Sequence, residues 1–172
     1  MKESVFLSRR RIILIGVIAA VAITIILLPM ILTVTLPSNL NSVGITLSKV
    51  EVINTTGSNL VNLNLFFNIH NPTGTTLTTS GIDYDLSANG TRLGPGSLSY
   101  VDVPVNGRPQ LFSDTTITLQ SPFQFVNSHP NSQMFKFVQN PATLKHMKWK
   151  VDGVLSLESG FSSTSKEFNA TL

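Results

Sequence analysis

Twenty-five consecutive residues, Ile12 to Leu36, carry no charge, and they follow directly on Arg9, Arg10 and Arg11. As a helix this run would be about 37 Å long, against a hydrocarbon core of about 30 Å. It is long enough to cross a bilayer with some tilt. Only Thr24, Thr33 and Thr35 interrupt its apolar side chains with hydroxyls, and a hydroxyl on such a helix can bond back to its own backbone. Pro29 falls late, where it would kink the last third or mark the exit. Lys2 and the three arginines favour a cytoplasmic N-terminus by the positive-inside rule. The competing assignment is a cleaved signal peptide, whose apolar region is usually about 7 to 15 residues and ends in small residues. This run is longer, and its exit, Thr35-Leu36-Pro37-Ser38-Asn39, has no A-x-A pattern. The expected organisation is therefore a basic cytoplasmic tail (1–11), a single transmembrane helix (12–36), a short linker (37–42) and one domain (43–172) outside the cell membrane.

The net charge of +3 belongs wholly to the segment before Pro37; the remainder holds eight basic and eight acidic residues. A neutral outer domain removes the usual argument for nucleic acid, which needs a basic folded face. From Pro37 onward there are 17 Ser, 15 Thr and 14 Asn, so hydroxyls and amides must form most of the surface. Such a surface hydrates without depending on ionisation. There is no cysteine, so thiolate chemistry, iron–sulfur clusters and Cys-based zinc sites are excluded, and the core alone must hold the domain.

Period-2 alternation dominates after residue 43. In 60–70, Val61, Leu63, Leu65, Phe67 and Ile69 share one face and Asn62, Asn64, Asn68 and His70 the other, with Phe66 the exception. This predicts a half-buried antiparallel strand. Segments 82–88 and 147–157 alternate likewise, and 111–119 and 161–172 read as weaker strands. Expected core residues are Leu63, Leu65, Phe67, Tyr84, Trp149, Val151 and Leu155. Segment 43–54 changes phase between Leu47 and Val50. A one-residue slip moves side chains to the other face, so a bulge or sheet switch is expected near Ser48–Lys49. Asn71-Pro72-Thr73-Gly74, Asn89-Gly90, Gly94-Pro95-Gly96 and Asn106-Gly107-Arg108-Pro109 read as turns, Asn-Gly being the strongest hairpin signal. Pro104 confines 98–105 to an edge. Met134, Phe137 and Val138 stand at i, i+3, i+4, predicting a two-turn helix capped by Asn131 or Ser132 that plugs one end. Strands about 8 to 12 residues apart with such turns predict an all-β sandwich.

Three motifs stand in order: Asn71-Pro72 closing a strand, Ile82-Asp83-Tyr84-Asp85-Leu86, and the hairpin Asn89-Gly90-Thr91-Arg92-Leu93-Gly94. With a later strand around Val151-Asp152-Gly153, this set resembles the late-embryogenesis-abundant type 2 family, also called the WHy (water stress and hypersensitive response) domain, over most of 43–172. The resemblance implies an immunoglobulin-like or fibronectin-III-like antiparallel sandwich with one short helix. It also implies a group linked to desiccation and stress that includes single-span membrane proteins. No catalytic residue or cofactor comes with that family. The Ser/Thr/Asn excess looks more like an archaeal surface protein than a plant one.

Candidate chemistry is sparse. Asp83 and Asp85 share a strand face about 7 Å apart; paired carboxylates suit acid–base work or a cation, or simply a solvated face. His70, His129 and His146 lack a second ligand at i+2 or i+4, and no metal site is assigned. Lys145, Lys148 and Lys150 form a small patch that lipid headgroups, acidic glycans or an anionic partner could use. Ser163-Thr164-Ser165-Lys166 matches S-x-x-K but falls in a strand region without its companion motifs. Asn54, Asn89 and Asn169 head N-x-[ST] sequons, so N-glycans are possible partners, Asn89 at a hairpin tip being the best acceptor.

Three functions fit these features. The first is a non-enzymatic, membrane-anchored sandwich outside the cytoplasm that interacts with other surface proteins or protects the envelope. The second is a filament or surface-layer subunit that adds the segment 39–54 as a strand to a neighbour after cleavage. The third is a single-span accessory subunit packing through Gly16, Ala19 and Ala20.

Overall fold

The computed structural model describes residues 9–33, 40–56, 59–128, 131–160 and 162–172. Two units divide the chain, Met1–Leu36 with Gly160–Ser162 and Pro37–Ser159 with Ser163–Leu172. In the first, helix α1 runs from Arg9 to Thr33. Its described part begins three residues before Ile12 and continues past Pro29. The Thr24 hydroxyl donates to the Ala20 carbonyl at 2.9 Å, satisfying itself without a partner helix. The expected exit, 35–39, lies outside the described residues, as does the first half of the expected linker.

The β-domain comprises β1 (Gly44–Thr56), β2 (Leu60–Asn71), β3 (Leu77–Ala88), β4 (Thr91–Ser99), β5 (Gln110–Leu111), β6 (Thr115–Val126), α2 (Ser132–Gln139), α3 (Pro141–Leu144), β7 (Trp149–Ser159) and β8 (Ser162–Thr171). One sheet has the order β1-β2-β6; the other runs β4-β3-β7-β8, with β5 pairing to the start of β3. The described pairings are antiparallel. The inward residues of both sheets form one buried cluster, as alternation dictates for a sandwich. All seven expected core residues are buried in it.

The phase change in β1 has the expected cause. Leu47 pairs with Phe67 and Lys49 with Phe66, leaving Ser48 as the extra residue of a bulge. Inward facing then resumes at Val50, which is buried. Phe66 is left facing outward, with the Lys49 ammonium 5.5 Å from its ring centre. A second register shift falls between Val52 and Asn54.

Several local expectations are corrected. Gly94-Pro95-Gly96 is not a turn but lies inside β4, and the segment 98–105 is not a strand beyond Ser99. Proline is accepted there because β4 is a sheet edge. Segment 111–119 is broken by a turn after Leu111, and its strand resumes as β6 through Pro122 to Val126; β6 is likewise an edge. Two short helices replace the expected one. Asn131 occupies the cap position of α2 without a side-chain bond, whereas Asn140 caps α3 by accepting from Ala142 N at 3.0 Å, with Pro141 leading the helix. In α2 the buried residues are Phe135 and Val138. Phe137, expected to face inward, is 44% exposed.

Three polar devices lock the sandwich. Asn71, fully buried, donates its amide to the carbonyls of Thr75 (2.8 Å), Leu111 (2.9 Å) and Phe112 (3.2 Å). Its Oδ1 accepts from Thr73 N at 3.0 Å and Thr73 Oγ1 at 2.6 Å. The Asn-Pro motif thus ties the β2–β3 loop to the β5–β6 turn. Arg108 holds the β4–β5 loop: Nη1 donates to both Glu158 oxygens at 2.7 and 2.8 Å, Nε to Val103 O and Nη2 to Val101 O. Tyr84 bridges the two sheets, its hydroxyl 2.8 Å from the Ser121 hydroxyl on β6 and its ring against Phe67 and Phe123. Its neighbours across β4 and β7 are Gly96 and Gly153. A Cβ at Gly96 would collide with the Tyr84 ring, and one at Gly153 would lie 2.5 Å from the Asp83 carbonyl.

Candidate functional surfaces

Asp83 and Asp85 do face outward together, but each has a partner. Asp83 accepts from Ser97 Oγ at 2.7 Å, and Asp85 is ion-paired with Arg92, whose Nε lies at 3.0 Å. Opposite Asp85 on β7, Asp152 pairs with Lys150 at 2.8 Å and accepts from the Asn169 amide. The hydrogen bond from Lys150 leads in holding the Asp152 carboxyl below its ordinary range. These side chains rim an open depression of about 590 Å³ beside Gly96 and Gly153. The depression offers charge and hydrogen bonding to whatever approaches it.

The outer face of the other sheet is almost free of charge. Its amides and hydroxyls pair with one another: Asn64 with Gln120, Asn68 with Thr118, and His70 Nδ1 with Thr116 Oγ1 at 3.2 Å. His70 closes β2 at the end where the chain enters the domain, whereas His146 precedes β7 at the opposite end. The fold does not bring them together, and His129 lies outside the described residues. Among the described residues no group of three His, Asp or Glu could hold a metal. Ser163 and Lys166 sit on β8, where residues three apart point to opposite faces. Lys166 instead donates to the carbonyls of Asn41, at 2.6 Å, and Val43.

The lysine patch is reshaped. Lys150 is ion-paired, while Lys145 and Lys148 are exposed and have no carboxylate partner among the described residues. Lys136, on α2, is exposed at the same end. Spacing alone missed it, because it lies nine residues before Lys145. The signal was the absence of any acidic residue from Thr115 to Val151.

The three sequon asparagines are exposed. Asn89 and Gly90, at φ 48° and 79°, form the two-residue tip between β3 and β4, as a type I′ turn requires. Asn89 commits its amide oxygen to Lys148 N at 2.9 Å. Asn169 commits its amide nitrogen, the atom a glycan would join, to Asp152. Arg9, Arg10 and Arg11 open the described part of α1.

No protein family and no curated protein sequence matches the chain. Solved structures do. A protein of Arabidopsis thaliana known from a solution structure is similar over 80% of this chain and 86% of its own, at 10% identity and a TM-score of 0.52. That likeness shows a shared fold. A protein from Archaeoglobus fulgidus is similar over 74% of this chain and 94% of its own, at 14% identity and a TM-score of 0.43. A protein described as late embryogenesis abundant is similar over 78% of this chain and 74% of its own, at 15% identity and 0.43.

Proposed function

We propose that the protein is a membrane-anchored member of the WHy-like group whose sandwich acts outside the cytoplasm, without catalysis, as an interaction or envelope-protection module. The observation that carries this reading is α1. Its large apolar side chains from Ile12 to Leu28 are 46–66% exposed on every side of the helix. A helix apolar all round has no stable place in water, and the stretch Arg9–Leu28 is long and apolar enough to span a membrane. Arg9, Arg10 and Arg11 directly precede its apolar run, a position that suits a phosphate-rich headgroup layer. The pairing of β1 with β2 of the same chain from Gly44 to Thr56 supports an anchored module over strand donation.

The test is extraction of the full chain from its membrane with alkaline carbonate, followed by intact mass and protease digestion of sealed vesicles. The expected result is retention in the pellet, a mass that includes Ile12–Leu36, and an N-terminus shielded while the β-domain is cut from outside. Release by carbonate, a mass lacking that run, or the opposite protection would refute the proposal.

A further inference from the structure

The end of the sandwich opposite Leu40, where the chain enters, is built from the β3–β4 tip, α2, α3 and the start of β7. It is both basic and apolar. Lys136, Lys145 and Lys148 are exposed there without carboxylate partners among the described residues. Beside them lies a groove of about 420 Å³ lined by Phe137, Met147, Ala142 and Thr143, with Asn89 and His146. That volume falls within the range of roughly 300–1,000 Å³ typical of ligand clefts. Phe137 exposes 44% of its surface although Phe135, two residues earlier, is buried.

The walls are held in place. Asn89 N donates to Lys148 O at 2.8 Å, and Lys148 N donates back to Asn89 Oδ1 at 2.9 Å. The Thr143 hydroxyl donates to the Phe137 and Asn140 carbonyls. A groove already ordered loses little freedom when it is filled. An apolar slot whose lining residues Phe137, His146 and Met147 have exposed lysines next to them in the chain is complementary to a segment that carries carboxylates around an apolar side chain.

We propose that this end is a docking site for an acidic peptide segment of a partner protein. An aromatic or leucine side chain of the segment fills the groove between Phe137 and Met147, and its carboxylates face Lys136, Lys145 and Lys148. The choice of a peptide over lipid headgroups rests on the groove, whose held walls offer a place for one apolar side chain beside the lysines.

The experiment uses the full chain in zwitterionic detergent micelles, so it does not depend on where α1 resides. The probe is a fluorescein-labelled peptide of three glutamates, one phenylalanine and three glutamates, followed by anisotropy. Saturable binding is expected at 50 mM salt, weakened at least tenfold at 500 mM. A peptide with serine in place of phenylalanine should bind at least fivefold more weakly. Lys145→Glu with Lys148→Glu, and separately Phe137→Asp, should each weaken binding at least tenfold. These side chains are exposed, so an unchanged unfolding midpoint by Trp149 fluorescence confirms an intact fold. Lys136→Glu serves as a further variant should either of the others lower that midpoint. No saturable binding up to millimolar peptide, or equal affinity in the variants, overturns the proposal. So does adsorption to phosphatidylglycerol vesicles that outcompetes the peptide and is lost in the same variants. Failure here with successful membrane retention leaves the anchor standing and removes the docking site alone.

Discussion

Asn71→Asp is nearly isosteric, yet it replaces the one group in the β2–β3 loop that donates to three carbonyls. In the wild type the amide nitrogen sits 2.8, 2.9 and 3.2 Å from the oxygens of Thr75, Leu111 and Phe112. An ionised carboxylate in that place would set a buried negative oxygen against three others. The cheaper route is to stay protonated and donate a single bond. The variant therefore folds with a carboxyl pKa raised well above the unfolded value of about 3.9. A raised pKa gives stability that is complete below the unfolded value and lost as pH climbs toward the folded one. Relative to wild type, the variant should lose about 1.4 kcal/mol for each pH unit above 4, or about 4 kcal/mol by pH 7. The two carbonyls left without their donor add about 1–3 kcal/mol at any pH. The sum rivals the whole stability of a typical domain, about 5–15 kcal/mol. Urea unfolding followed by fluorescence of Trp149, the one tryptophan in the chain and a buried one, measures this directly. A loss at pH 7 below about 1 kcal/mol, or a loss equal at pH 4 and pH 7, would refute the account of Asn71 as a buried donor hub.

Two further outcomes follow from Tyr84. Burial raises its phenol pKa, against the opposing hydrogen bond from Ser121, so wild-type stability should fall as pH rises above about 10, where the unfolded chain begins to ionise. Tyr84→Phe should flatten that fall in alkaline urea titrations while costing about 1 kcal/mol at neutral pH; an unchanged alkaline slope would show that the phenol is not the group responsible. Gly153→Ala should cost more, about 2–3 kcal/mol, because the new methyl meets the Asp83 carbonyl and the strands must part locally. A midpoint within experimental error of wild type would mean that β3 and β7 lie further apart there than described.

Sequence patterning reached the sandwich, its buried face and the bulge at Ser48, because alternation is a one-dimensional record of which face meets the core. It failed where the cause was three-dimensional. Gly94-Pro95-Gly96 read as a turn, yet Pro95 lies on a sheet edge, a property of strand order rather than of neighbouring residues. Phe137 fitted a helical stripe, but Phe135 took the inward place against Phe125, with ring centres 5.8 Å apart. Asn71 was read as a stop signal. Its role as a hub depends on Leu111 and Phe112, about forty residues away, which no local pattern encodes. Lys136 joined the lysine patch only because the fold brings α2 beside the start of β7.

The two glycines beside Tyr84 differ in what they permit to change over generations. The obstruction at Gly96 is a side chain, the Tyr84 ring, so position 96 opens to larger residues once residue 84 becomes small. The obstruction at Gly153 includes main chain, the Asp83 carbonyl, which no substitution at residue 84 removes. Positions 84 and 96 should therefore drift as a linked pair among descendants of this sequence, tyrosine with glycine, while position 153 stays glycine in every lineage that keeps the sheet.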